Sequence, residues 1–371
     1  MLLDVNKKRL IQTFTELAEI SSPSWGEQKL ADIIAKRLKS LGLTVTSYPC
    51  GNSVNLLATL PSDEQSFNRK AILFAAHMDT VSPCENVQPV VSANRITSDG
   101  TTVLGGDDKA AIAAFIEAIS VIKEKKIPHG HLEFLFTCAE EIGLQGAKGF
   151  DVSVLKSKIG FVMDCDGDVG GVIVKAPYDY APVTIKVKGK AAHAGMAPEK
   201  GVNAIFVLSN IIARLPNGRI DNETTFNVGK ISGGTVTNIV PDTAECVLEM
   251  RSISRAKINA VFRQTKEIAA TVAAEMGAKV TVSKSLAYGG FSMKEKDLPL
   301  MIADRALRRL HIEPTHKASG GGSDANVFNK AGIKCVNLAC GMSNIHTTSE
   351  YLPIEQLVRA AMLAVALVVE S

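Results

Sequence analysis

Runs of apolar residues that end abruptly in acids or histidine punctuate the first half of the chain. Ala71–Ala76 is one such run, and it stops at His77, Met78 and Asp79. The mostly apolar Leu132–Ala139 stops at Glu140 and Glu141, and Ile159–Met163 stops at Asp164, Cys165 and Asp166. Short continuous runs of this kind predict strands buried on both faces. Ala110–Ile119 reads as a helix opened by Gly105, Gly106, Asp107 and Asp108, and Ile11–Ile20 as an amphipathic helix. Near the end, Cys335–Cys340 leads through a loop to His346. Helices alternating with apolar strands predict an α/β fold with a mainly parallel sheet.

The pattern changes near residue 180. Val183–Lys188 alternates as a half-exposed strand, followed by a helix near Asn203–Leu215 and strands near Thr224–Ile231 and Ala244–Met250. A helix near Ile258–Met276 and a strand near Lys279–Lys284 complete a β-α-β-β-α-β order, that of a ferredoxin-like α+β unit. The helix-rich pattern then resumes near Phe291. The expected organisation is one discontinuous domain, 1–180 with 290–371, carrying an inserted domain, 181–289.

The polar stops carry the candidate chemistry. Residues i and i+2 of a strand share a side, so His77 and Asp79 project together. Open α/β sheets place their sites at the carboxyl ends of strands, and each of these stops falls just after a predicted strand or at a helix start. One aspartate of the Asp107–Asp108 pair also reads simply as a helix N-cap. As a set, however, two imidazoles and three carboxylates, with no cysteine pair at ligand spacing, suit Zn²⁺, Co²⁺ or Mn²⁺. Five ligands exceed the three that one catalytic zinc takes from a protein. They suffice for two cations about 3.5–4 Å apart if one carboxylate bridges.

Composition narrows the setting. A chain of 371 residues, 46% hydrophobic, can bury ample core in two domains. A net charge of +3, without basic runs, argues against nucleic acid or a polybasic membrane contact. No apolar stretch approaches the roughly 20 residues of a membrane span. The first residues lack the basic-then-apolar pattern of a signal peptide. Seven cysteines, an odd number lying mostly in strand-like runs, read as reduced core residues of a cytoplasmic protein.

His77-Met-Asp79, the segment from Ser98 to Lys109 with its Gly-Gly-Asp-Asp-Lys ending, Glu140-Glu141, Asp164 and His346 form an ordered set. That set resembles the co-catalytic zinc peptidases, a family that includes aminoacylase, glutamate carboxypeptidase, succinyl-diaminopimelate desuccinylase and peptidase T. The Asp99–Lys109 run is most similar to the peptidase T (tripeptidase) branch. The resemblance spans nearly the whole chain and implies roles residue by residue. His77 and Asp164 would hold one metal, Glu141 and His346 the other, and Asp107 would bridge, with a cis peptide after it. Glu140 would be the general base and Asp79 the partner of the His77 ring. The reaction implied is hydrolysis of an amide by activated water, without a covalent intermediate.

For the inserted domain the resemblance implies a dimerisation or lid role in a homodimer. His193, between small residues just after a strand, would supply an oxyanion donor to the partner subunit's site. Asn238 and Arg251 would hold substrate, the arginine through a free carboxylate; without the resemblance they read as a turn amide and a surface ion pair. Gly320–Ala325 spells a dinucleotide fingerprint by letter, yet the polar segment before it is no buried strand. Gly321, Gly322 and Ser323 read better as a substrate-side loop, with Ser323 or Asp324 capping a helix through Phe328. Where peptidase T has an arginine before this loop, the chain has Gly320. The expected activity is release of the N-terminal residue of tripeptides. N-acyl-amino-acid deacylase or dipeptidase activity on the same core is the alternative. A non-catalytic metal-binding homologue would have no need of Glu140.

Overall fold

The computed structural model describes residues 3–371 other than 64, 65 and 67. It divides into two compact units. One comprises the chain up to Lys175 with Ser292–Ser319 and Ser323–Ser371; the other comprises Ala176–Phe291 with Gly320–Gly322.

Among the described residues, the first unit is organised on a nine-stranded sheet. Its centre is parallel: Ile72–His77 lies between Leu132–Thr137 and Ile159–Cys165, and Lys334–Ala339 lies beyond the latter. The hairpin of Thr44–Cys50 and Ser53–Leu60 extends one side in antiparallel fashion. Every residue of Ile72–His77 and Leu132–Thr137 is buried, so these strands are mostly apolar on both faces rather than alternating, with Glu133 the buried exception in mid-strand. Phe74 stacks on Phe134 with centroids 5.1 Å apart, and Phe115 closes on both. Burial of each such ring contributes about 1.5–3 kcal/mol. Phe115 belongs to the helix Gly106–Glu124, whose small alanines let it pack deeply, with Gly106–Ile122 buried. Register places His77 opposite Thr137 and Cys165 opposite Ala339, so the central parallel strands end together.

The second unit has a five-stranded antiparallel sheet in the order Gly218–Asp221, Thr224–Gly233, Thr243–Ser252, Tyr178–Lys188, Lys279–Tyr288. Thr243–Ser252 buries alternate residues, the period-2 signature of one packed face. Ala244, Cys246, Leu248 and Met250 pack there with Val207, Leu208 and Ile211 of the helix Ala204–Arg214. Ile258, Ala269 and Val272 of the helix Arg255–Glu275 complete this core.

Two details go beyond the sequence reading. Gly218–Asp221 adds an edge strand to the expected β-α-β-β-α-β order, and the polar segment before Gly320, which is no buried strand, contains a short exposed one, Thr315–Ala318, paired with Gly171–Ala176. Gly218–Ile220 and Thr315–Ala318 are exposed and carry no hydrophobic signal. The helix expected through Phe328 runs Asp324–Lys330, and Ser323, not Asp324, is its N-cap in a capping box with Asn326. The seven cysteines are free thiols. Among the described residues no helix is long and apolar enough to cross a membrane.

Candidate metal centre

Where the central strands end, one carboxylate stands between two imidazoles. Asp107 Oδ1 lies 3.0 Å from His77 Nε2, and Asp107 Oδ2 lies 3.1 Å from His346 Nε2. Glu141 Oε1 is also 3.1 Å from His346 Nε2, and Asp164 Oδ1 is 3.9 Å from His77 Nε2. Ligand atoms of His77, Asp107 and Glu141 lie within 4.8 Å of one another, as do those of His77, Asp108 and Asp164. Five side chains from five separate segments therefore converge. Asp166, the other acid of its pair, is exposed.

The donor set fits divalent cations. It is nitrogen and oxygen only, and the field it creates favours positive charge. Burial alone would push His77 down, yet hydrogen bonds to Asp107 and Asp79 hold it well above its usual pKa. Hydrogen bonds to Asp107 and Glu141 raise His346 to about 10. Burial and the neighbouring charge of Asp164 hold the Glu140 carboxyl well above the usual carboxylate range.

Neither Asp107 nor Asp108 caps the helix. Both lie in a kink at the start of Gly106–Glu124, with non-helical backbone (φ −79°, ψ 100° and φ −123°, ψ 27°), and the Asp107 carboxylate faces the imidazoles. Asp108 turns back instead, and its Oδ2 accepts the His77 backbone N–H at 3.2 Å. The Asp107–Asp108 peptide is cis.

Asp79 does more than face the His77 ring. Nδ1 of that ring is 2.9 Å from the Asp79 carbonyl oxygen but 3.4 Å from its carboxylate. The carboxylate accepts the backbone N–H groups of Glu140 at 2.9 Å and Glu141 at 3.1 Å, and the Ser24 hydroxyl at 2.7 Å. Two supporting residues had no motif to reveal them, and a third, Asp324, takes a part other than the helix cap considered for it. Glu27 accepts the Ala139 N–H at 2.8 Å, and Asn337 accepts the Asp164 N–H at 2.9 Å. Buried Asp324 accepts the Thr137 hydroxyl at 2.5 Å, and burial raises its carboxyl to about 6.

The remaining candidates belong to the second unit, apart from Ser323. His193 is exposed, and its Nδ1 accepts the N–H groups of Gly195 at 3.2 Å and Met196 at 3.1 Å. Asn238 is exposed, and its carbonyl accepts the Ala194 N–H at 2.9 Å. Arg251 Nη2 donates to Glu249 at 3.2 Å, while its buried Nε has no partner. Gly322 lies against Tyr288, whose ring a Cβ would overlap.

Comparison with known proteins agrees with this architecture. Residues 55–189 match the model described as Peptidase family M28, and residues 180–277 match that described as Peptidase dimerisation domain. Fold, site and these matches define a metallopeptidase. The protein YqjE of Bacillus subtilis is 42% identical over 375 residues, covering 99% of both chains. Peptidase T of Escherichia coli is 30% identical over 377 residues, covering 92% of this chain and 90% of its own. The chain belongs to the peptidase T family. The crystal structure of aminopeptidase PepT from Bacillus cereus superposes with a TM-score of 0.90 at 42% identity, covering 99% of each chain. That of a tripeptidase from Staphylococcus aureus gives 0.92 at 36%, covering 98% of each.

Proposed function

We propose that the protein is a metal-dependent aminopeptidase that releases the N-terminal residue of tripeptides. The observation that carries this reading is Asp107, each of whose carboxylate oxygens faces a different imidazole. His77 and Asp164 would hold one cation and Glu141 and His346 the second, with Asp107 shared between them. When bound, two such cations, Zn²⁺ or else Co²⁺ or Mn²⁺, supply Lewis-acid polarisation of the scissile carbonyl and acidify water. Glu140 would take a proton at its carboxylate and pass it to the departing amine.

The unit spanning 181–289 serves as the dimerisation domain of a homodimer, and that spanning 1–180 and 290–371 as the catalytic domain. Within the former, Phe206, Ile231 and Met196 are 61%, 59% and 82% exposed, apolar surface that a second copy would cover. His193 serves the partner's centre. Its Nδ1 is occupied as an acceptor, so the ring proton resides on Nε2, leaving a donor for a carbonyl oxygen gaining charge. Asn238, Gly321, Gly322 and Ser323 line the substrate, and the free thiols suit a cytoplasmic setting.

Chelation should abolish hydrolysis, and Zn²⁺, Co²⁺ or Mn²⁺ should restore it. Full activity in a verified metal-free sample would sink the mechanism. A product assay on free-amino tripeptides, dipeptides and N-acetyl amino acids separates the substrate classes; turnover of the acetylated substrates alone would make the protein a deacylase.

Arg251 pairs with the peptide's terminal carboxylate in this reading, exchanging its contact with Glu249 for the substrate's charge. C-terminal amidation should then weaken substrates of the wild type by about 1.5–3 kcal/mol. Arg251→Met should erase that difference, and equal discrimination by mutant and wild type would return Arg251 to its ion pair with Glu249.

A further inference from the structure

Glu350 follows His346 by four residues and is 2% exposed. A carboxylate is rarely buried so completely unless its oxygens are engaged. Its Oε2 accepts the backbone N–H groups of Leu104 and Gly105, each at 2.8 Å, and its Oε1 accepts that of Asp107 at 3.0 Å. The segment between is shaped to admit it: a Cβ on Gly106 would lie 2.9 Å from Oε1. Bonds from backbone N–H groups to a charged oxygen are stronger than neutral ones, and three on one group fix the segment's position in every direction.

The other end of the connection is the loop that carries His346. Ser343 and Tyr351 exchange both backbone hydrogen bonds, at 3.1 and 3.0 Å, which closes this loop at its base. The Glu350 N–H donates to the Thr347 carbonyl at 3.1 Å within it. Glu350 thus sits at the base of one closed loop and grips the backbone of another. Each of the two supplies an atom to the same contact, His346 Nε2 to Asp107 Oδ2 at 3.1 Å.

We propose that Glu350 is a positioning residue of the metal centre, locking the Leu104–Asp107 segment to the Ser343–Tyr351 loop. It thereby holds the Asp107 carboxylate between the two imidazoles. This rests on Asp107 and His346 being metal ligands, as proposed above. A purely structural role, that of a negative charge near the start of the helix Gly106–Glu124, would support folding without touching affinity for the cation.

Competition between the Zn²⁺-loaded protein and a chromophoric chelator separates the two, because it needs no peptide. Glu350→Gln keeps the size of the side chain but turns an amide NH₂ toward at least one of the three donors. It should weaken binding of at least one Zn²⁺ by about 10–100-fold, the usual effect of removing a group that supports a ligand. The value of kcat should fall, with KM changed less. Gly106→Ala should reproduce the loss by displacing the carboxylate, and it serves if Glu350→Gln does not fold. The double variant should then be no worse than the more severe single one. Two Zn²⁺ equivalents held with wild-type affinity in the folded variants would overturn the proposal and leave the peptidase reading standing. A wild type that binds none of Zn²⁺, Co²⁺ or Mn²⁺ when titrated with each cation would overturn both.

Discussion

A Glu140→Gln enzyme is expected to keep both metals and lose kcat by about 10²–10⁴, the usual contribution of a positioned acid–base group. Glu140 is buried, and its backbone is tied to Asp79, so the amide should occupy the same place. What it loses is the capacity to accept a proton and return it. His77→Ala is the contrasting variant, expected to lower metal content because it removes a nitrogen shared by both ligand groupings. Metal analysis alongside steady-state kinetics distinguishes the two outcomes. A Glu140→Gln enzyme within tenfold of wild type would remove the base assignment.

Mixing two inactive homodimers should restore activity. If each centre combines Glu140 of one chain with His193 of the other, the Glu140→Ala and His193→Ala homodimers should both be nearly dead. In a heterodimer of the two, one centre lacks both groups and the other has both. Equal amounts exchanged at random give about half heterodimers, hence about a quarter of wild-type activity. Distinguishable tags verify the exchange. No recovery in a verified heterodimer would mean that His193 acts within its own chain or not at all.

Much of the fold could be read from the residues because the central strands are buried on both faces and therefore mostly apolar along their length. Thr243–Ser252 was equally legible, since its alternation records one packed face. The exposed residues of Gly218–Asp221 and Thr315–Ala318 left no such trace, because backbone pairing at a sheet edge requires no particular side chain. At the site, His77, Asp107, Glu141, Asp164 and His346 stood out as polar stops, while their individual roles came from the family resemblance. Glu27, Asn337 and Glu350 could not be found in this way. Each accepts a backbone N–H from a segment remote in sequence, and an acceptor of that kind has no spacing rule. Asp79 shows the limit from the other side: its place was evident, but its grip on two successive amides was not.

That grip bears on how two chemically identical neighbours would come to the different duties proposed for them. Glu140 and Glu141 differ in nothing but address, and on a free loop a small backbone rotation would let either side chain take the other's place. With both amides held by one carboxylate, and Ala139 before them left-handed at φ 50° and bonded to Glu27, that rotation is blocked. In the proposed mechanism the choice of which glutamate moves protons and which binds metal is therefore made by main-chain handedness and not by side-chain chemistry.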